Sequence, residues 1–168
     1  MQIEFPKPKW WQRLILNFAA SRVGSSLFSL VLARLDRFTL GVTADKKTLT
    51  TLVTGVPVVQ LTTYGRISGK PRVCPLTPVV DGEKLVLFAT NFGAKRHPSW
   101  YHNLTANPEV LVSLNGYTDK YVARDADDSE RIEYWRLAIA IYPGYRSYAA
   151  RSGGRKIPIV VLSPKESV

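Results

Sequence analysis

Two tight-turn signals, Asp81-Gly82 and Asn115-Gly116, each sit between runs rich in β-branched and aromatic residues. Such dipeptides supply the left-handed backbone of a two-residue hairpin, so the runs on either side must lie adjacent and antiparallel. Successive hairpins exclude βαβ winding, because parallel strands need long crossover connections. No G-x-G-x-x-G or phosphate-loop sequence occurs, which also argues against a dinucleotide-binding or nucleotide-hydrolysing fold.

The remaining pattern fits this constraint. Val56 to Leu61 reads as a short strand, continued by Thr62-Thr63-Tyr64 into a glycine turn, Gly65 to Pro71. Arg72 to Val80 reads as a second strand and Lys84 to Thr90 as the return from the first hairpin. Pro98 to Ala106 is a short helix, with proline tolerated in its first turn. Glu109 to Leu114 and Tyr117 to Arg124 flank the second hairpin. Asp127 and Glu130 form a capping-box start for a helix that reaches about Tyr142, where Pro143-Gly144 breaks it. Ile157 to Leu162 is a final buried strand. The expected class is α+β, mainly β: a small, partly open antiparallel barrel of about six strands with peripheral helices. Residues 55–168 form the barrel domain, and residues 1–54 an amphipathic helical extension.

Charge narrows the partners. Lys and Arg number 23 against 13 Asp and Glu, giving a net charge of +10, which calls for an anionic partner. One cysteine, Cys74, and two histidines, His97 and His102, give no disulfide framework and no metal site. Nothing resembles a helix-turn-helix, zinc finger or RNP motif, so nucleic acid is not the expected anion. The N-terminus has no signal-peptide pattern, and its longest charge-free apolar stretch, Val23 to Ala33, is too short to span a bilayer. Within Trp10 to Leu40, Trp11, Leu14, Ile15 and Phe18 form one apolar stripe, and Leu27, Leu30, Val31 and Leu35 another, beside several arginines. That pattern fits a helix in a membrane interface, or equally one packed on its own domain or a partner subunit. The expected location is cytoplasmic, with peripheral contact at the inner face of the membrane through residues 10–40 left open.

Three constellations can carry chemistry. Gly65 to Arg72 combines two glycines, Ser68 and three cations (Arg66, Lys70, Arg72), a composition able to hold an anion or simply to face solvent. Asn91 to Arg96 leads a basic glycine loop into a helix N-terminus, a second anion candidate. Tyr142, Tyr145 and Tyr148 recur at helical spacing and make either an aromatic wall with three hydroxyls or ordinary packing. No nucleophile elbow, paired carboxylates or metal ligands accompany them. An enzyme built this way must take its chemistry from an organic cofactor.

The runs LTTYGRISGKPRVCPL, DGEKLVLFATNFGAKRHPSWYHNLTANPEV, ARDADDSERIEYW, YPGYRSY and KIPIVVL resemble the deazaflavin-dependent nitroreductase family of actinobacterial type. The resemblance covers Val56 to Leu162 in order. It implies a split β-barrel of the flavin-reductase kind and coenzyme F420, a phosphorylated deazaflavin with a polyglutamate tail. It further implies hydride transfer from the reduced deazaflavin to a quinone or nitroaromatic. By matching position, Arg66, Ile67 and Ser68 fall at the cofactor, as do Arg72, Val73, Cys74, Pro75, Leu76 and Thr77. So do Phe88, Ala89, Thr90 and Asn91, and Trp100, Tyr101 and Asn103. Tyr142, Tyr145 and Tyr148 match residues lining the acceptor pocket, with Tyr145 also reaching the cofactor. Together with Thr90 they are the candidates for the chemical step. In the best-studied members a tyrosine stands at the position of Thr77, a serine at Thr90 and a lysine at Asn91.

The expectation is therefore an F420-dependent oxidoreductase with a quinone-like or nitroaromatic acceptor, and with pairing into a homodimer left open. FMN on the same barrel is the alternative cofactor. A non-catalytic, membrane-associated carrier of a hydrophobic ligand is the alternative class.

Overall fold

The structure is a computed structural model that describes residues 58–165. The helical extension read over residues 1–54, with its membrane or partner contact, lies outside those residues.

The chain runs β1 (Val59–Tyr64), β2 (Pro71–Leu76), β3 (Val79–Asp81), β4 (Lys84–Phe88), a 3-10 turn (Asn91–Gly93), α1 (Ser99–Ala106), β5 (Glu109–Leu114), β6 (Tyr117–Asp125), α2 (Asp128–Ile141), α3 (Gly144–Arg151) and β7 (Ile159–Pro164). Both hairpins form. Leu114 pairs with Tyr117, and Asn115 and Gly116 between them both have positive φ, the type I′ geometry. At the other hairpin Asp81 pairs with Lys84, so the turn is centred on Gly82-Glu83, with only Gly82 at positive φ.

The seven strands form one antiparallel sheet in the order β2-β1-β5-β6-β7-β4-β3. β2 and β3 are its opposite edges, yet only Thr77 and Pro78 separate them in sequence. Three peptide units reach about 11 Å at most, so the sheet must curl until its edges nearly meet. This produces the split barrel that the hairpin pattern and the family resemblance lead one to expect. The run Arg72 to Val80 is two strands rather than one. Pro78 cannot donate to a ladder, and there the chain steps from one edge to the other.

Alternation along the strands builds two apolar clusters. Val59, Leu61, Leu85, Leu87, Val110, Val112, Tyr121, Val160 and Leu162 fill the barrel, joined by Trp100 and Leu104 of α1. The opposite faces of β4 and β7 present Val86, Phe88, Ile159 and Val161 to Tyr134 and Ala138 of α2. Burial on both faces explains why LVLF and IVVL are continuous apolar runs.

α2 begins at the expected capping box: Asp127 accepts from the Glu130 amide at 2.9 Å, and Glu130 accepts from the Asp127 amide at 3.0 Å. Arg124 of β6 donates both terminal nitrogens to Glu130 at 2.6 Å, fixing the helix start to the sheet. At the other side, the Tyr134 hydroxyl donates to Asp81 Oδ2 at 2.7 Å and ties α2 to the β3–β4 hairpin. Tyr134→Phe should cost about 1 kcal/mol, the typical net value of such a bond, because exposed Asp81 can rehydrate. Urea unfolding of the two proteins checks this.

Candidate active site

The β1–β2 turn carries the first group of expected residues. The Gly65 amide donates to the Lys70 carbonyl at 2.9 Å and the Gly69 amide to the Gly65 carbonyl at 2.7 Å, closing the turn on itself. Asn103, buried on α1, locks it from below. Its Nδ2 donates to Thr63 Oγ1 at 3.1 Å, and its Oδ1 accepts from the Arg66 amide at 3.2 Å. The amides of Gly65, Arg66 and Gly69 are thus occupied inside the protein. Anion recognition here falls to the exposed side chains of Arg66, Ser68, Lys70 and Arg72 more than to a backbone nest. Ile67 (89% exposed) and Val73 (61%) project to solvent.

The rest of β2 follows its pleat. Cys74 and Leu76 pack against the barrel cluster beside Trp100 and Tyr101 of α1, while Pro75 and Thr77 are half-buried. Burial pushes the Cys74 thiol up to about 11, so it is an unreactive thiol at neutral pH. Tyr101 donates to Asp125 Oδ2 of β6 at 3.0 Å, holding α1 against the sheet.

The second group gathers where β4 ends. The Phe88 ring lies 5.0 Å from Tyr145 and 6.0 Å from Trp135. Ala89 and Thr90 are buried, and Asn91 donates to the Arg96 carbonyl at 3.0 Å across its loop. Asn91 and Phe92 both adopt positive φ (48° and 54°), a costly conformation for a bulky residue. Gly93 then rests on α3, where an added Cβ would stand 2.9 Å from the Tyr148 carbonyl.

The three tyrosines meet, but not as the simple ridge their spacing suggests. A second helix, α3, starts directly after Pro143, which occupies a position where proline is tolerated. Tyr142 ends the previous helix and folds back over Gly144, whose missing Cβ leaves room for its ring. The result is a triangle with ring centroids 5.6, 5.9 and 6.2 Å apart. The Tyr142 and Tyr148 hydroxyls lie 3.2 Å apart. Burial raises all three phenols above their ordinary range, so at neutral pH each is a protonated donor.

The two groups are joined through α1 and the end of β4. Among the described residues no hydrogen bond or ring contact runs directly from the tyrosines to Arg66, Ser68 or Arg72. Two participants escape sequence reasoning. Trp135 reads only as one aromatic in a helix and Gly144 only as a breaker. Among the described residues no three His, Cys, Asp or Glu side chains are placed to hold a metal. No helix there is long and apolar enough to cross a membrane.

A sequence model of the F420H(2)-dependent quinone reductase family matches residues 38–164. The chain belongs to this family. An F420H(2)-dependent quinone reductase of Mycobacterium tuberculosis is 35% identical over 112 residues, covering 64% of this chain and 73% of its own length. A solved F420-H2 dependent reductase, FDR-A, shares 37% identity, with a TM-score of 0.58 over 64% of this chain and 94% of that one. A structure described as a domain-swapped dimer shares 33% identity, with a TM-score of 0.61 over 76% of this chain and 96% of that one. Family membership makes the protein a deazaflavin-dependent oxidoreductase with F420 as its cofactor.

The residues present fit such a group. A cationic, hydroxyl-bearing turn suits phosphate and carboxylate. An apolar and aromatic wall at Phe88 and the tyrosines suits a planar ring. In this quinone reductase family member, Asn103→Ala removes the group that bridges Thr63 and the basic turn. The expected cost is about 1–3 kcal/mol, since buried Thr63 loses its donor. Faster exchange of the Arg66 amide and a lower urea midpoint are the readouts.

Proposed function

We propose that the protein reduces a quinone-like acceptor, and nitroaromatics less selectively, with F420 held across the two groups described above. The observation that carries this reading is the triangle of protonated phenols packed against Phe88 at the end of β4. When bound, reduced F420 supplies the hydride. Arg66, Lys70 and Arg72 would grip its anionic side with Ser68 as a neutral donor. Cys74, Pro75, Leu76 and Thr77 on one side, and Phe88, Ala89 and Thr90 on the other, would border the ring. Trp100, Tyr101 and Asn103 would hold these borders in place.

The acceptor's needs explain the tyrosines. A quinone that takes a hydride gains an oxyanion, and one proton completes the hydroquinone. Tyr142, Tyr145 or Tyr148 can stabilise that oxygen by donating a hydrogen bond, a task suited to a phenol held in its protonated form. The packed rings also keep water from the transferred hydride. Thr77, smaller than the tyrosine found at this position in the best-studied nitroreductases, widens the acceptor side and supports a bulkier quinone.

Titration with F420 and with FMN, followed by anaerobic oxidation of reduced F420 with menadione or a nitroaromatic, tests the reading. Micromolar F420 binding, weaker FMN binding and faster turnover with the quinone are expected. Tyr148→Phe should lower kcat with menadione about tenfold or more while leaving F420 affinity unchanged. Tighter binding of FMN, or no turnover with either acceptor, would overturn it.

Two further parts of the reading concern assembly. The apolar and basic segment Trp10 to Leu40 supports contact with lipid, where long-chain quinones reside, and the domain-swapped relative supports a homodimer. Co-sedimentation with anionic vesicles, lost when Trp10 and Trp11 become serine, and a dimer mass by light scattering are the expected results.

A further inference from the structure

Arg155 lies outside every group assigned above, in the segment between α3 and β7. Its guanidinium is nevertheless almost fully engaged, and with one stretch of chain. Nε donates to the Ala94 carbonyl at 3.1 Å, Nη1 to the Ala89 carbonyl at 3.2 Å, and Nη2 to the Thr90 carbonyl at 2.8 Å. Nη1 also lies 2.8 Å from His97 Nδ1. Arginine has no acceptor, so His97 must accept there and carry any neutral-ring proton on Nε2.

The stretch so held contains the left-handed pair Asn91 and Phe92. Backbone in that region is strained for residues other than glycine and persists only where its surroundings over-determine it. The loop's internal bonds, Gly93 amide to Thr90 carbonyl at 3.0 Å and Ala94 amide to Asn91 carbonyl at 2.9 Å, close the turn but do not anchor it. Arg151 of α3 donates to the Phe92 carbonyl at 3.3 Å in its middle, and Arg155 anchors it at both ends. The far side of the same loop carries Gly93 against the Tyr148 backbone and the Phe92 ring 6.0 Å from that of Tyr148.

We propose that Arg155 is a positioning residue for the reaction: it holds Ala89–Ala94 in the strained form that sets Thr90 and the tyrosine helix in register with F420. The proposal rests on the F420 reading above. Lysine cannot replace it, because one ammonium cannot span carbonyls at positions 89, 90 and 94 as a planar fork does.

His97 gives the clamp a pH signature. Around it stand Arg155, His102 and Tyr101 of α1, and Asp125 of β6. Burial first, then the Arg155 charge, holds its pKa below the ordinary 6.5, with Asp125 opposing. The folded state therefore favours the neutral acceptor. As pH falls through that lowered value, protonation removes the acceptor and sets two cations side by side, so the clamp weakens on the acid side.

The test uses the full chain with Arg155→Lys and His97→Asn. In the cofactor-free protein, Arg155→Lys should speed hydrogen exchange of the Gly93 and Ala94 amides about tenfold while β5 and β6 keep their protection. F420 affinity should fall by about tenfold, with KM for reduced F420 rising more than kcat falls. Asparagine at position 97 keeps an acceptor but does not titrate. His97→Asn should bind F420 normally at about pH 7.5 and lose the acid-side fall in affinity seen in the unsubstituted chain. Titration of F420 itself is common to both proteins and cancels. A folded Arg155→Lys with unchanged exchange, or with faster exchange but unchanged affinity, overturns the proposal. If that variant does not fold, the pH arm decides, and an identical acid limb in His97→Asn overturns it. Failure of the unsubstituted chain to bind F420 would overturn the cofactor reading instead, with exchange still deciding the clamp.

Discussion

The two-residue link Thr77-Pro78 is the constraint on which the architecture depends. It joins the two ends of a seven-stranded sheet, so the sheet has no extended alternative. Curling creates an inside, filled by one row of alternating side chains, and an outside that α2 must cover at β4 and β7. It also brings the β2 edge and the end of β4 around a shared core, with α1 inserted beside them. The candidate site is thus a product of closure. Its members come from segments far apart in sequence, as the 37- and 40-residue separations of the Asn103 bonds show.

Local features are legible in the chain itself. Tight turns, the capping box and the strand alternation each depend on residues within a few positions of one another, so their chemistry is written locally. The Arg72–Val80 run reads as one strand because Thr77-Pro78 interrupts it only in the context of the closed sheet. The helix after Pro143 is hidden for a similar reason. A Pro-Gly pair signals a break, and only Tyr142 lying over Gly144 shows that the chain resumes its helix at once.

The site was legible to the extent that motif position reflects contact. The basic turn and the tyrosines stand out by composition and spacing, and Phe88 and Asn103 can be named from the resemblance. What they do to one another cannot. Asn103 is revealed as a support of the turn, since both ends of its amide are spent on Thr63 and Arg66. Asn91, replacing a cation, spends its side chain on closing its own loop. Arg155 gave no signal at all, because an arginine beside two glycines looks solvated until its partners, about sixty residues upstream, are brought to it.

The open edge of β2 has one more consequence. Prolines at 71 and 75 have no amide hydrogen, so their nitrogens must face away from β1, and Val73, in phase with them, faces the same way. The seam of the barrel thus presents one backbone donor along six residues. A stray extended segment arriving there would meet the carbonyls of Pro71, Val73 and Pro75 but a single amide, too few donors for a regular ladder, which disfavours recruitment of another strand at the split.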